Sequence, residues 1–371
     1  MNILYITRKY PPSIGGMQTQ SYEFHNALKG REKVFSITWG RSQKLLSLFL
    51  ISIFFKGIFF LAAKKIDFIQ VGDLALSPVG LFFKILSGKR VFAMAHGKDT
   101  AFDNAIYRFF VIGPAKKLDG VICVSRFLRE RLIKRGLCGE KLFVNPNGIN
   151  IDEYTKTSDK QGSRSCLEEE FGLDLKNKNI ILSVSRMVRK KGMALFVKNI
   201  FPRIVQRFPG TCLLLVGEAK GPESRAEKSE ITAYAEKAGL NGKVHFLGDI
   251  EYGDIMLRNI YSAADIFVMP NRHYENDYEG FGIVALEASL NKVPVVAFSV
   301  DGIPDAVSDG NNGFLVPEDD DEAFAGTVNS LLKDNSEAER LGEKAGKFVR
   351  ENYNWDVIVD NYLRIIKAPG L

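Results

Sequence analysis

Short apolar runs rich in Val, Ile and Phe alternate with longer helical stretches almost from one end of the chain to the other. That alternation is the feature that most narrows the fold. The first half offers candidate strands at Ile3–Thr7, Val34–Thr38, Phe68–Val71, Arg90–Ala95, Gly120–Val124 and Leu142–Asn145. The second half offers Ile180–Val184, Cys212–Val216, Val244–Phe246, Ile266–Met269, Val293–Ala297 and Gly313–Val316. Runs this apolar have no face to leave in water, so they predict parallel strands covered by helices on both sides. Two successive sets of six predict an α/β chain of two doubly wound, Rossmann-like domains. The length agrees, since 371 residues make about two domains. At 46% apolar and 25% charged residues, the chain can fill two cores and is neither disordered nor collagen-like nor a coiled coil. The polar stretch Thr155–Arg164 lacks periodicity and reads as a linker or edge loop, giving expected domains of 1–165 and 166–350.

Charge is divided unevenly. Residues 1–165 hold 26 Lys and Arg against 12 Asp and Glu, whereas the remainder holds 24 against 32. A net +14 on the first half points to an anionic partner: a membrane surface, a phosphorylated substrate or a nucleic acid. No nucleic-acid-binding module or interleaved aromatic platform accompanies it, so no nucleic-acid partner is expected. The segment from Lys44 to Lys65 is almost wholly Leu, Ile and Phe between its lysines. Lys56-Gly57 would fall near a bilayer centre, which argues against a spanning helix. A core helix and a helix docked at a membrane interface both remain open, and the basic balance favours the second. Cys123, Cys138, Cys166 and Cys212 form no C-x-x-C pair, so neither a disulfide framework nor a structural zinc is expected. The N-terminal run lacks a signal peptide's basic flank and cleavage site, so the expected location is cytoplasmic, peripheral on the inner face of the membrane.

Several motifs follow predicted strands, where α/β sheets bind their ligands. Glu279-Gly-Phe-Gly-Ile-Val-Ala-Leu-Glu287 places two carboxylates eight positions apart. Gly280 and Gly282 let backbone approach a ligand, and the helix predicted over Ile283–Leu290 would carry Glu287 one turn in. Ser185-Arg186 to Lys191-Gly192 supplies a guanidinium fork and a point charge suited to a diphosphate. Gly15-Gly16 follows the first strand and opens a helix, exposing backbone amides, without being the G-x-G-x-x-G of a dinucleotide oxidoreductase. His96 ends the fourth strand, in His96-Gly97-Lys98-Asp99. Asp319-Asp320-Asp321 opens a helix and reads as an N-cap rather than a metal site. His25, His245 and His273 read as structural or surface histidines.

Taken in order, Gly15-Gly16, Asn147-Gly148, Arg186-x4-Lys191, Val216-Gly217-Glu218 and Glu279-x7-Glu287 resemble the retaining GT-B glycosyltransferases of family 4. Among these, the run from Leu247 to Glu287 is most similar to phosphatidylinositol mannosyltransferase-like members. The resemblance implies two domains facing a central cleft, with residues 351–371 forming a helix that crosses back to the first. It implies a nucleotide diphosphate sugar donor and no metal or other cofactor. Arg186 and Lys191 would neutralise the leaving diphosphate, and the Gly16 amide in the Gly15-Gly16 turn would bind it. Glu287 would hold the ribose, while Asp249 and Ile250 would meet the base through backbone groups. Glu279, Gly280, Phe281, Gly282 and Ile283 would orient the sugar, His96 would lie against its reacting face, and Glu218 would border the donor pocket. Gly302-Ile303 and Gly217-Glu218-Ala219 depart from the family pattern at the rim of the nucleotide pocket, which leaves the base open, GDP or UDP. The expected reaction is transfer of a hexose, with retention and by a front-face route, to a hydroxyl of a lipid-linked or cell-envelope glycan acceptor. A sugar-nucleotide epimerase and a transferase with a soluble acceptor are the alternatives.

Overall fold

The computed structural model describes residues 1–371 apart from 14, 42–44, 103, 155–158, 218 and 369–371, together with the side chains of Leu46 and Lys98. Twelve strands form among the described residues, in two sheets, and every pairing is parallel. The first sheet contains β1 (Asn2–Thr7), β2 (Lys33–Thr38), β3 (Phe68–Val71), β4 (Arg90–Ala95), β5 (Gly120–Cys123) and β6 (Leu142–Val144), in the order β2-β1-β3-β4-β5-β6. The second contains β7 (Asn179–Val184), β8 (Thr211–Val216), β9 (Val244–Gly248), β10 (Ile266–Met269), β11 (Val295–Phe298) and β12 (Gly313–Val316), ordered β12-β11-β10-β7-β8-β9. In each sheet the order reverses beside the first strand, between β1 and β3 and between β7 and β10. Loops leaving the carboxyl ends there diverge and open a crevice. Both crevices are closed at the base by glycine. A Cβ on Gly72, after β3, would sit 2.6 Å from Thr7 Oγ1, and one on Gly192 would sit 1.9 Å from the carbonyl oxygen of Pro270, after β10.

Two units divide the chain, and they divide it differently from the expected 1–165 and 166–350. One comprises Met1–Ile149, Glu275–Phe281 and Tyr353–Leu371; the other comprises Asn150–Tyr274 and Gly282–Asn352. Of the predicted linker, residues 155–158 lie outside the described residues, and Lys160–Arg164 is helix instead. Asp159 caps the helix Lys160–Phe171 through the Gly162 amide. Arg164 then fastens that helix to the second unit, donating to the carbonyls of Ala263 and Lys178 and pairing with Asp265 at 2.8 Å.

The first core joins Ile3, Tyr5, Phe68 and Phe92 of the sheet to Phe24 and Leu28 of α1 (Gly16–Lys29). It also takes in Val359, Tyr362 and Ile366 of the terminal helix Trp355–Lys367. The Tyr362 hydroxyl donates to Gln70 Oε1 on β3 at 2.9 Å, tying that helix to the sheet. Helix α2 (Leu46–Ala63) covers most of the Lys44–Lys65 segment and packs one stripe into the first unit, as a core helix does. Phe49, Ile53 and Gly57, four residues apart, form a buried stripe, with Phe83 of α3 (Ser77–Ser87) packed over Gly57. Leu48, Ile51, Phe54, Phe55 and Phe59 are exposed on its remaining surface. Among the described residues, no helix is long and apolar enough to cross a membrane.

Candidate active site

In the first unit the predicted residues gather where β1, β3 and β4 end. Gly15 enters α1 at φ +144°, a conformation that suits glycine, and its carbonyl accepts from the Gln18 and Thr19 amides. A Cβ on Gly16 would meet nothing within 4 Å, so the helix start is open. His96 is only 5% exposed, and its Nε2 is buried without a hydrogen-bond partner. Burial lowers its pKa, against the opposing pull of the Asp73 charge, so the ring is neutral at pH 7. A neutral, buried imidazole with one ring nitrogen unsatisfied is suited to accept from, or donate to, a hydroxyl brought to it.

Beneath His96 lies an acidic pair that the sequence reading did not single out. Asp73 is fully buried and paired with Arg8 at 2.8 Å. Asp99 Oδ2 accepts from the His96 amide at 3.1 Å, and the Asp99 carbonyl accepts the Tyr107 hydroxyl at 2.5 Å. Burial, with the neighbouring Asp73 charge adding to it, pushes the Asp99 carboxyl up to about 7. The signal for Asp73 was available: Gly72-Asp73 follows a strand, as His96 does.

Glu279, Gly280 and Phe281 belong to this first unit, which corrects the expectation that they sit on the second domain with Arg186. Local packing explains it. The Tyr278 ring lies 5.5 Å from the Phe127 ring and under the Arg131 guanidinium at 4.0 Å, both from the first unit. A Cβ on Gly280 would sit 2.9 Å from the Gly97 amide nitrogen, an approach that only glycine allows. Phe281 meets Tyr353 with ring centroids 6.1 Å apart. The segment therefore stands beside the loop that follows His96.

The second unit carries the other predicted residues. Arg186, exposed, and Lys191, half-buried, follow β7. The Arg272 amide donates to the Lys190 carbonyl at 2.9 Å, joining this loop to the one after β10. Gly217, at φ +141°, ends β8 so close to β7 that a Cβ would stand 1.8 Å from the Ser185 carbonyl oxygen. Its amide donates to the Gly248 carbonyl at 2.7 Å. Around these strand ends lies a cavity of about 380 Å³ bordered by Met187, Gly217, Lys220, Lys228, Phe246 and Asp249. Lys228 sits over the Phe246 ring at 4.8 Å, and Asp249 faces Lys220 at 3.8 Å. Ile250 is half-buried beside Asp249, and Glu218 lies outside the described residues.

Gly282, at φ +95°, and Ile283 lead into the helix Val284–Leu290. Glu287, one turn in, is 4% exposed and accepts the fully buried Tyr261 hydroxyl at 2.6 Å. Burial and then the Glu287 charge raise the Tyr261 hydroxyl well above its ordinary range, so it stays a donor. Asp320 caps the helix Asp321–Lys333, as the sequence suggested. Its neighbours Asp319 and Asp321 pair with Arg272, a buried cation missed in the sequence because nothing local marks its partners.

Residues 14–153 match the family model described as Glycosyltransferase Family 4, and residues 168–348 match the one described as Glycosyl transferases group 1. The GDP-mannose-dependent alpha-(1-6)-phosphatidylinositol monomannoside mannosyltransferase of Mycolicibacterium smegmatis is 28% identical over 283 residues, which are 76% of this chain and 70% of that protein. A GDP-mannose-dependent monoacylated alpha-(1-6)-phosphatidylinositol monomannoside mannosyltransferase of Corynebacterium glutamicum is 25% identical over 394 residues, covering 98% and 97%. The crystal structure of HepE from Anabaena in complex with UDP superposes with a TM-score of 0.78 at 21% identity, over 99% of both chains, and speaks for the fold alone.

Proposed function

Because the chain belongs to the GT-B glycosyltransferases, with a family 4 region followed by a group 1 region, we propose that it moves a hexose from GDP- or UDP-linked donors to a lipid-linked or glycan hydroxyl with retention. The observation that carries this reading is the set of groups on the second unit. Arg186 and Lys191 follow β7, a cavity of about 380 Å³ beside Met187 borders the ends of β8 and β9, and the buried Glu287 carboxylate belongs to the same unit. We assign the leaving diphosphate to Arg186 and Lys191, since charge developing on a departing phosphate is what preorganised cations stabilise. Glu287, held by Tyr261, takes ribose hydroxyls. Asp249 and Ile250 border the base, with Phe246 supplying an apolar wall. Gly282 and Ile283 offer backbone to the donor, and Glu218 is assigned to the same rim.

In the first unit, His96 and Glu279 are assigned to sugar hydroxyls, with Gly280 and Phe281 shaping the surface. The Gly15 and Gly16 turn is assigned to phosphate oxygens. The exposed apolar surface of α2 and the basic balance of residues 1–165 support a membrane-borne acceptor. So does the phosphatidylinositol acceptor named for the two mannosyltransferases.

A panel of nucleotide sugars, read by thermal stabilisation and by slow donor hydrolysis, tests the donor assignment, since a ligand that binds the folded state raises its apparent stability. The anomeric configuration of the first product, read by NMR, tests retention. A panel with no stabilising nucleotide, or a product of inverted configuration, would overturn the respective part. Appearance of an epimer with donor alone would replace transfer by epimerisation.

A further inference from the structure

A second cavity, of about 420 Å³, lies in the first unit between the helical run 105–115 and the helix Arg126–Lys134. Its wall carries Arg108, Lys116, Arg131, Lys134 and Arg135, and among the described residues no carboxylate lines it. Cations gathered about one hollow repel one another, and an anion seated among them removes that cost. Arg131 lines the cavity with its guanidinium resting on Tyr278, and its Nε is buried without a hydrogen-bond partner. We infer that this cavity takes the phosphate or diphosphate of a membrane lipid that serves as acceptor.

Three observations select a lipid phosphate over a soluble one. The run that supplies Arg108 also exposes Ile106 (72%), Phe109 (74%) and Phe110 (58%), with Phe102 (57%) just before it. Cations beside exposed aromatics suit the boundary where headgroup phosphates meet acyl chains. The cavity also adjoins the segment that carries Glu279, through Arg131 on Tyr278. Finally, a smaller cavity of about 260 Å³, lined by Phe102, Asn276, Asp277 and Tyr278, borders the same ring. Arg135 reaches towards it, donating to the Phe102 carbonyl at 2.7 Å. A phosphate in the basic cavity would thus leave the attached sugar or polyol beside Tyr278 and Glu279.

The inference rests on the lipid-acceptor reading above, and the test separates the two. The probes are phosphatidylcholine vesicles carrying either phosphatidic acid, a phosphomonoester, or phosphatidylglycerol at matched surface charge, and inorganic pyrophosphate in solution. The variant is Lys116→Glu with Lys134→Glu, two exposed positions outside the donor assignment, with the Gln pair as the milder form should the Glu pair misfold. Wild-type protein should sediment with phosphatidic acid vesicles at least 10-fold more strongly than the variant does. Phosphatidylglycerol vesicles should discriminate the two much less, and both proteins should keep the same thermal stabilisation by nucleotide. Equal sedimentation of wild type and variant with phosphatidic acid would overturn the cavity while leaving membrane docking through α2 standing. Wild-type protein that ignores both vesicle types would overturn the lipid acceptor as well. Stabilisation by pyrophosphate, lost in the variant and unaccompanied by vesicle binding, would assign the cavity to a soluble phosphate and refute the lipid.

Discussion

Gly217→Ala probes how the ends of β7 and β8, to which the proposed diphosphate ligands are joined, are held. Real Cβ atoms essentially never come within 3.0 Å of another heavy atom, and this substitution would bring one to 1.8 Å from the Ser185 carbonyl oxygen. The ends of β7 and β8 would therefore have to part by about 1.2 Å. The backbone at φ +141° adds strain of about 1–3 kcal/mol for a residue with a side chain. Losing the 2.7 Å bond from the Gly217 amide to Gly248 adds about 0.5–1.5 kcal/mol. A total of about 1.5–4.5 kcal/mol in a domain of this size lowers Tm by roughly 3–18 °C. Ser185 directly precedes Arg186, so the displacement passes to the proposed diphosphate ligand, and a misplacement of about 1 Å can cost about 10²-fold in rate. Thermal unfolding by circular dichroism and donor turnover should both fall. Wild-type Tm with wild-type turnover would refute the close approach itself. A lowered Tm with unchanged nucleotide affinity and turnover would show that Arg186 does not depend on it.

Removing either proposed diphosphate cation, by Arg186→Ala or Lys191→Ala, should lower turnover about 10²–10³-fold with little change in Tm; near-normal rates in both would sink the assignment. Tyr261→Phe leaves the buried Glu287 carboxylate one donor short and should cost about 1.5–3 kcal/mol of stability, read by chemical unfolding; an unchanged unfolding midpoint would contradict the pairing. Asp99 titrates at about 7 in the folded chain against 3.8 when free. Between those values the folded protein holds a proton that the unfolded chain has lost, so this group's contribution is full below about pH 4 and is lost as pH rises to about 7. Asp99→Asn should therefore flatten the fall in Tm between pH 4 and 7 relative to wild type, and parallel curves would count against the buried carboxyl.

The strands were legible because residues buried on both faces of a parallel sheet must be apolar in continuous runs, and such runs stand out without any partner being known. Their ends were less so. The run Val293–Ala297 reads as strand from its first residue, yet β11 begins at Val295, because Pro294 has no N–H to give a ladder. Lys160–Arg164 reads as loop because its residues are polar. It is helix because Asp159 caps it and Arg164 finds Asp265, 101 residues away. Arg186, Lys191 and His96 could be read from their place after a strand, a local property. The Arg8–Asp73 pair, the support of His96 by Asp99 and the Arg272 ion pairs could not, since each depends on side chains meeting across sequence separations that no local pattern records.

The division of Glu279-x7-Glu287 shows why spacing alone misleads here. Counted along the sequence, the two carboxylates look like one device on one domain. Yet Tyr278 is captured by Phe127 and Arg131, and Gly280 by Gly97, so Glu279 folds with the first sheet. Glu287, only eight residues on, is held by Tyr261 in the second. The chain passes from one unit to the other between Phe281 and Gly282, at a residue whose φ of +95° suits glycine. The motif is therefore a crossing point with a carboxylate fixed on each side. Its glycines are explained by backbone packing as much as by any ligand: Gly280 makes room for Gly97, and Gly282 turns the chain into the helix that carries Glu287.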